Sequence, residues 1–225
     1  MRTHRDLQSL VDENVRRWSN AARRAALTRR PASLAISRFP GSGAASLGQR
    51  IAERLDCAFF GIEIVDWIAR EAHVQRELVA ALDERVRTAI DRYVTDALRP
   101  FKEDDYLKQL VRSVTSIAEG SGAVFLGRGA VFILPKERTL RVLVTAPREM
   151  RLERTAKVHD LTLEEAHTHL EHEEATRREF YRHHFDVDPD DPSHYDLVVN
   201  TATLGHDLST ELVVTAFEQR LGTTR

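Results

Sequence analysis

The residues best suited to chemistry form a glycine-rich turn, Pro40-Gly-Ser-Gly43, in the first quarter of the chain. An apolar run, Leu34-Ala-Ile36, precedes the turn and predicts a buried strand, and Leu47 and Ile51 follow it at helical spacing. A strand, a tight glycine turn and a helix together direct backbone N–H groups and a helix N-terminus at an anion. The stretch therefore predicts a phosphate-binding loop made of Gly41, Ser42, Gly43, Ala44, Ala45 and Ser46.

This loop departs from the full phosphate-loop motif, G-x-x-x-x-G-K-[ST], because Ala44 occupies the position of the lysine. The hydroxyl of Ser46 is a candidate ligand for Mg²⁺ or for a phosphate oxygen. Arg38, at the end of the predicted strand, could reach the phosphates in place of the missing lysine, or it could form a salt bridge with a neighbouring loop. For the whole stretch, a turn with a purely structural role is the alternative interpretation.

A second candidate, Arg128, lies in the turn Gly127-Arg-Gly129, directly after an apolar run. Apolar runs alternate with helical patterns along the chain, which predicts a parallel sheet covered by helices on both faces. Sheets of this kind bind ligands at the carboxyl ends of their strands, where Arg128 is expected to lie. Strands are expected at 34–36, at the start of 58–65, and at 123–126, 141–145 and 197–199, and helices at 66–98, 106–118 and 206–221.

A long polar section, residues 147–194, carries further arginines. Arg151 and Arg154 share one helical face with Arg148 because the three are spaced by three residues. A second helix is predicted from about Thr162 to Tyr181, with Thr162-Leu-Glu-Glu165 as a capping box, and it carries Arg177. The composition suits either a solvated helical hairpin or an arginine-bearing flap over a nucleotide. The acidic loop that follows, residues 186–192, is interpreted as a mobile connection.

Residues 1–31 form a separate compositional unit, which ends at Pro31. Apolar residues recur there at helical spacing, including Val11 and Trp18, and arginines are concentrated in its second half. We interpret the unit as a basic amphipathic helix that packs on the domain surface. The alternative is a basic arm that contacts an acidic or protein partner, a nucleic acid or a second copy of the chain.

Composition excludes several classes of function. The 225 residues carry a formal net charge of −2, so the chain shows no strong nucleic-acid signal and no general attraction to membranes. Its single cysteine, Cys57, excludes an internal disulfide and suits a reducing compartment. No apolar run approaches the length of a membrane span, and the N-terminus has no apolar signal segment, so we expect a cytoplasmic protein.

Two weaker constellations remain open. His169 and His172 are spaced so that both could bind a metal ion from one helical turn, although solvated histidines are the favoured interpretation. Glu63 and Asp66 follow the second predicted strand, where they could orient a ribose or Mg²⁺, or simply cap a helix.

Four motifs in a fixed order resemble one family: Ile36-Ser-Arg-Phe-Pro-Gly-Ser-Gly43, Gly127-Arg-Gly129, Glu174-Ala-Thr-Arg177 and Tyr195-Asp-Leu-Val-Val-Asn-Thr201. They are similar to those of the cytidylate kinase-like group, nucleoside monophosphate kinases of the P-loop NTPase superfamily. The resemblance covers about residues 32–207 and leaves the N-terminal helix outside.

The resemblance implies an α/β P-loop kinase over residues 32–225, with a helical monophosphate-binding insertion at about 61–118 and a helical lid at about 148–192. It implies ATP and Mg²⁺ as cofactors and a nucleotide as substrate. Arg128 matches an arginine that contacts the monophosphate, and three arginines match lid residues that gather around the transferred phosphoryl group: Arg151, Arg154 and Arg177.

Departures from the family pattern leave two functions open. Gly129 replaces an aspartate that helps to read cytosine or ribose, Gly61 and Ala45 replace an aspartate and an arginine, and Glu174 replaces an aspartate of the lid. The leading hypothesis is transfer of the ATP γ-phosphoryl group to a small acceptor such as CMP. The alternative is a nucleotide-binding regulatory module with weak or no catalysis, which the lysine-free loop favours.

Overall fold

A parallel sheet lies at the centre of the structure, with β1 (Ser33–Arg38) as its middle strand. The computed structural model describes residues 9, 11–16, 18, 31–71, 75, 76, 78, 82, 84–98 and 105–222. Within them, the sheet has five strands in the order β2-β3-β1-β4-β5. The other strands are β2 (Ala58–Phe60), β3 (Ala123–Leu126), β4 (Thr139–Thr145) and β5 (Leu197–Asn200). All pairs run parallel, as the alternating pattern predicted.

Helices follow each strand along the chain. They are α1 (Ala44–Arg54), α2 (Ile62–Arg70), α3 (Glu84–Leu98), α4 (Asp105–Ser121), α5 (Ala130–Ile133), α6 (Arg148–His159), α7 (Leu163–Phe185) and α8 (Thr201–Leu221). Short 3₁₀ turns occur at Lys136–Arg138 and Pro192–His194. The predicted capping box is present at the start of α7, where Glu165 N donates to Thr162 Oγ1 and Thr162 N donates to Glu165.

Two helix predictions need correction. The single helix expected over 66–98 is divided into α2 and α3, and much of the segment between them lies outside the described residues. The last helix begins at Thr201, five residues earlier than expected, because the side chain of Asn200 caps it by accepting from Ala202 N at 3.0 Å. Gly205, with φ of 68°, then kinks the helix.

Apolar residues fill both faces of the sheet. Leu34 and Ile36 of β1 pack with α1 and α8 on one face, and Ala35 belongs to the cluster on the other face. This alternation follows from the pleat of a strand, in which successive side chains point to opposite faces. The carboxyl ends of β1 and β3 are thus held in register, with Ile36 opposite Leu126.

The N-terminal segment contributes to one of these cores. Residues 11–16 are helical, and Val11 and Trp18 are buried in the cluster that includes Ala35. Trp18 Nε1 donates to the carbonyl of Ile117 at 2.7 Å, and the ring lies against Gly120, where a Cβ would come within 2.2 Å of it. These contacts pack the described part of the segment into the core, and the arginines at 23–30 lie outside the described residues.

Asp196, just before β5, supports an acid-dependence prediction. It accepts from Arg141 N at 2.9 Å, from Arg141 Nη2 at 2.7 Å and from Arg220 Nη1 at 3.0 Å. Burial raises the pKa of this carboxyl, but the hydrogen bonds and charges of the two arginines outweigh it and hold the pKa below its ordinary value. A carboxyl with a lowered folded-state pKa stabilises the fold above its unfolded pKa and loses that contribution as pH falls through the folded pKa.

We expect Asp196→Asn to lower the free energy of unfolding by about 2 kcal/mol at neutral pH. The difference from the unmodified protein should shrink at an acid pH below the ordinary pKa of an aspartate, because the carboxyl takes up its proton as the pH falls through its lowered folded-state pKa. Urea unfolding at both pH values measures this, with Asp207→Asn as a control on an exposed ion pair with Arg50. An equal loss at both pH values would show that the charge of Asp196 is not what stabilises the fold.

Candidate active site

The glycine-rich loop, residues 40–46, leads from the end of β1 into the first turn of α1, and at Gly41 and Gly43 a side chain would collide with its neighbours. Gly41 and Gly43 adopt φ of 75° and 80°, in the left-handed region that favours glycine. A Cβ at Gly41 would lie 2.6 Å from the carbonyl oxygen of Arg151, and one at Gly43 would lie 2.9 Å from His206 Nε2. The loop therefore requires both glycines for its shape and for its close contact with α6 and α8.

The N-terminus of α1 presents unused hydrogen-bond donors. Within the described chain, the N–H groups of Ala44, Ala45 and Ser46 have no acceptor, and Gly43 before them provides no capping side chain. The next amide, that of Leu47, donates to the carbonyl of Gly43 at 3.2 Å. Three adjacent free donors at the positive end of a helix dipole form a favourable position for an anion.

Hydroxyl groups lie on both sides of these amides. Ser46 is exposed on the first turn of α1, and no described residue forms a hydrogen bond with its hydroxyl. Ser42 is fully buried, and its Oγ likewise has no partner in the described chain. A buried hydroxyl without a partner is costly, so it identifies a position that a water or a ligand oxygen would satisfy.

Arg154, on α6, fixes the outer side of the loop. Its Nη1 donates to the carbonyl of Ser42 and to Thr201 Oγ1, both at 2.9 Å, and Thr201 Oγ1 donates to the same carbonyl at 2.7 Å. His206 Nε2 lies 3.3 Å from the carbonyl of Gly43. The conformation of the loop is thus determined by α6 and α8 together, and the Arg154 guanidinium lies directly beside it.

Arg151 lies inside the protein rather than at the surface of a cleft. Only 7% exposed, it donates to the carbonyls of Ala146 at 3.0 Å and Pro40 at 3.2 Å and forms an ion pair with Glu174 at 2.5 Å. Its guanidinium also lies over the ring of Phe39. With these donors engaged, Arg151 connects α6 and α7 to the glycine-rich loop and acts here through the backbone of that loop.

Arg128 lies in the turn after β3. The amide of Gly127 donates to the carbonyl of Ile36 at 2.8 Å, so the turn is held beside the end of β1. Arg128 Nη2 pairs with Asp66 Oδ2 at 2.5 Å, and its guanidinium carbon lies 5.2 Å from the ring centre of Phe180. Its Nε is buried without a hydrogen-bond partner in the described chain.

Tyr106 completes the support of Arg128. Its hydroxyl donates to Asp66 Oδ1 at 2.6 Å, which leaves Asp66 Oδ2 for the arginine. Burial raises the pKa of Tyr106, and its hydrogen bond to Asp66 and the negative charge of that carboxylate raise it further. Tyr106 therefore stays protonated and keeps the carboxylate oriented toward Arg128 throughout the physiological range.

Arg177, on α7, reaches the end of β1. It donates from Nη2 to Ser37 Oγ at 3.1 Å and to the carbonyl of Pro189 at 3.0 Å, and it forms an ion pair with Asp190. Tyr195 also fixes this segment, because its hydroxyl donates to the carbonyl of Pro189 at 2.6 Å. The acidic loop at 186–192, interpreted from sequence as a mobile connection, is bound to α7 and contributes Asp190 as a counter-ion to Arg177.

The predicted site residues therefore form two groups. Arg154 and the deeply buried Arg151 contact the backbone of the glycine-rich loop, whereas Arg38, Arg128 and Arg177 lie at the carboxyl ends of β1 and β3. Sequence reasoning did not find the supporting residues Tyr106, Asp190, Thr201 and His206. Thr201 ended a quoted motif, but nothing in the spacing of the others indicated their partners. Among the described residues, no group of three or more His, Cys, Asp or Glu side chains could hold a metal ion.

A parallel sheet in this strand order, with a glycine-rich loop between β1 and α1, has the α/β architecture of the P-loop kinase fold. The model of the cytidylate kinase-like family matches residues 33–203, and the chain belongs to that family. This confirms the resemblance inferred from the four motifs. No helix within the described part of the chain is long and apolar enough to span a membrane.

Related proteins agree with this assignment. The chain is similar to the cytidylate kinase of Methanopyrus kandleri, with 29% identity over 192 residues that cover 84% of this chain and 94% of the relative. It is also 29% identical over 171 residues to the cytidylate kinase of Pyrococcus horikoshii, covering 75% and 79%. A crystal structure of an uncharacterized protein from Eubacterium ventriosum superposes with a TM-score of 0.61 at 15% identity, covering 84% and 99%, and shows the same fold.

Proposed function

We propose that this protein is a nucleoside monophosphate kinase-like phosphotransferase that moves the γ-phosphoryl group of ATP to a monophosphate acceptor such as CMP. The observation that carries the proposal is the row of amides at Ala44–Ser46, free within the described chain, with Arg154 beside the same loop and with Arg128 and Arg177 at the carboxyl ends of β1 and β3. Phosphoryl transfer requires mainly that two nucleotides be positioned and that spreading negative charge be neutralised. Similarity to the archaeal cytidylate kinases supports the same reaction.

The donor phosphates fit the glycine-rich loop. Its free amides would bind phosphate oxygens, and Arg154 beside Ser42 would supply positive charge where the motif lysine is missing. Ser46 fits Mg²⁺, because its hydroxyl is exposed and unused in the described chain, and Mg²⁺ commonly takes few protein ligands and keeps waters and substrate oxygens. When bound, Mg²⁺ would neutralise charge on the β- and γ-phosphates.

The acceptor fits the side of Arg128. An oxygen of its phosphate dianion would attack the γ-phosphorus while the bond from that phosphorus to the oxygen of the departing ADP breaks. The attacking oxygen carries no proton, so no side chain is needed as a base. Arg128 and Arg177 would orient the acceptor, and helices α6 and α7 would form the lid that excludes water.

Two departures from the family pattern affect the expected catalytic rate and the nucleobase of the acceptor. Ala44 and Ala45 leave the loop without a cationic side chain, which favours the second candidate function, a nucleotide-binding regulatory module with little catalysis. Gly129 lies where a Cβ would come within 2.2 Å of the ring of Phe185, so an aspartate of the usual pattern would not fit without rearrangement. CMP as acceptor and a cytoplasmic location both stay predictions.

The experiment is a coupled assay of the purified protein with ATP, Mg²⁺ and each of the common nucleoside monophosphates. The proposed function requires ADP release that depends on one or more monophosphates and yields the matching diphosphate. ATP binding by calorimetry without any diphosphate product would instead support the regulatory module. Absence of both binding and turnover would refute the nucleotide site itself.

A further inference from the structure

Arg38, the last residue of β1, has a guanidinium group with no hydrogen-bond or ion-pair partner among the described residues. No described carbonyl or carboxylate accepts a hydrogen bond from it, and no described carboxylate oxygen lies within 4.0 Å of its nitrogens. The other arginines at this edge differ, since Arg128 pairs with Asp66 and Arg177 pairs with Asp190. An arginine that forms no close ion pair among the described residues, while its neighbours each form one, is a favourable position for an external anion.

The charged neighbours of Arg38 indicate whether it lies near the donor or the acceptor phosphate. Its charged and titratable neighbours are Glu173, Tyr181, Arg177 and Arg128. Burial lowers the pKa of Arg38; the charges of Arg177 and Arg128 lower it further, and Glu173 and Tyr181 act in the opposite direction. Holding its charged form next to two other guanidinium groups is unfavourable, and a bound dianion would relieve this repulsion.

The backbone geometry agrees with this placement. Ser37, the preceding residue, accepts from Arg177 Nη2 at 3.1 Å, and the carbonyl of Ile36 accepts from the amide of Gly127 at 2.8 Å. The end of β1 is thus joined to both segments that carry the other two arginines. Arg154 and His206, by contrast, contact the carbonyls of Ser42 and Gly43 on the donor side of the loop.

We infer that Arg38 binds the acceptor rather than the donor, as a third guanidinium around its phosphate. With Arg128 and Arg177 it forms a pocket for a phosphomonoester dianion, whose three terminal oxygens can each receive charged hydrogen bonds. The inference rests on the proposed function for the identity of the acceptor, and it replaces the expectation that Arg38 substitutes for the loop lysine. The class of ligand is a phosphate monoester, represented by inorganic phosphate as its smallest analogue.

The test separates acceptor binding from donor binding in two variants, Arg38→Met and Arg38→Lys. Arg38→Lys keeps the positive charge, and it provides the measurement if Arg38→Met fails to fold. We measure the affinity for inorganic phosphate and for CMP by calorimetry, the affinity for ATP, and KM for each substrate. Arg38→Met should weaken phosphate and CMP binding about 10- to 100-fold, and Arg38→Lys should weaken them less, with ATP affinity unchanged in both. Arg54→Met, an exposed arginine of α1, serves as the control.

Each outcome decides the inference separately from the proposed function. Loss of ATP affinity with normal phosphate binding would place Arg38 on the donor side and overturn it, and so would unchanged affinity for all ligands. Phosphate binding that depends on Arg38 in a protein without kinase activity would support the inference while rejecting the kinase. Kinase activity with a normal KM for CMP in both variants would support the kinase and reject the inference about Arg38.

Discussion

Replacement of Arg128 by alanine is expected to lower the rate of phosphoryl transfer by about a hundredfold or more. The guanidinium lies beside the end of β1, held there by Asp66 and by the ring of Phe180, and it retains a buried Nε that has no partner in the described chain. Preorganised donors of this kind act most strongly where charge develops in the transition state, because they need no rearrangement during the reaction. Steady-state kinetics with ATP and CMP measures the effect in kcat and in KM.

Two further variants make the result for Arg128 specific. Arg128→Lys keeps a positive charge but loses the planar fork of donors, so it should recover only part of the activity. Arg54→Ala removes an exposed arginine of α1 and should leave the kinetics unchanged. If Arg128→Ala remains folded by circular dichroism and transfers phosphate as fast as the Arg54→Ala protein, Arg128 has no role in the reaction.

Replacement of Trp18 by alanine is expected to lower the free energy of unfolding by about 3–5 kcal/mol. The indole is fully buried, packs against Gly120 and donates to the carbonyl of Ile117. Its removal leaves a large cavity between the N-terminal segment and α4, and it leaves a buried carbonyl without its donor. Urea unfolding followed by far-ultraviolet circular dichroism measures the loss.

A smaller replacement distinguishes shape from hydrogen bonding at this position. Trp18→Phe keeps a ring in the cavity and removes the indole N–H, so it should cost clearly less than Trp18→Ala. Asp12→Ala changes an exposed residue of the same helical segment and should have a negligible effect. A Trp18→Ala protein as stable as Asp12→Ala would show that the N-terminal segment does not contribute to the core.

The strands were predictable because each is a short apolar run bounded by turn residues. β3 was predicted residue for residue, and β1, β4 and β5 extended the expected runs by one to three residues at their ends. These runs are buried between helices, so a nearly continuous apolar pattern is what a parallel sheet requires. The capping box at Thr162 was equally predictable, since it depends on residues only three positions apart.

Side-chain partnerships in the site were not predictable in this way. Arg128 pairs with a residue 62 positions away, and Tyr106 reaches the same carboxylate across 40 positions. Spacing placed Arg151 and Arg154 on one face of α6, but it could not tell that this face covers the backbone of the glycine-rich loop. Helical periodicity identifies which residues share a face, whereas the object that the face contacts is set by the tertiary arrangement.

The buried pair of Arg151 and Glu174 has a mechanical consequence. Because the guanidinium also donates to the carbonyl of Pro40, α6 and α7 are both attached to the loop at a point protected from solvent. Moving α6 away from α7 would leave the charge of Arg151 or Glu174 buried without its partner. The free-energy cost of this is much larger than that of separating an exposed ion pair. We therefore expect α6 and the glycine-rich loop to move together as one rigid unit in any opening that admits substrate, and the hinge of that motion to lie outside this contact.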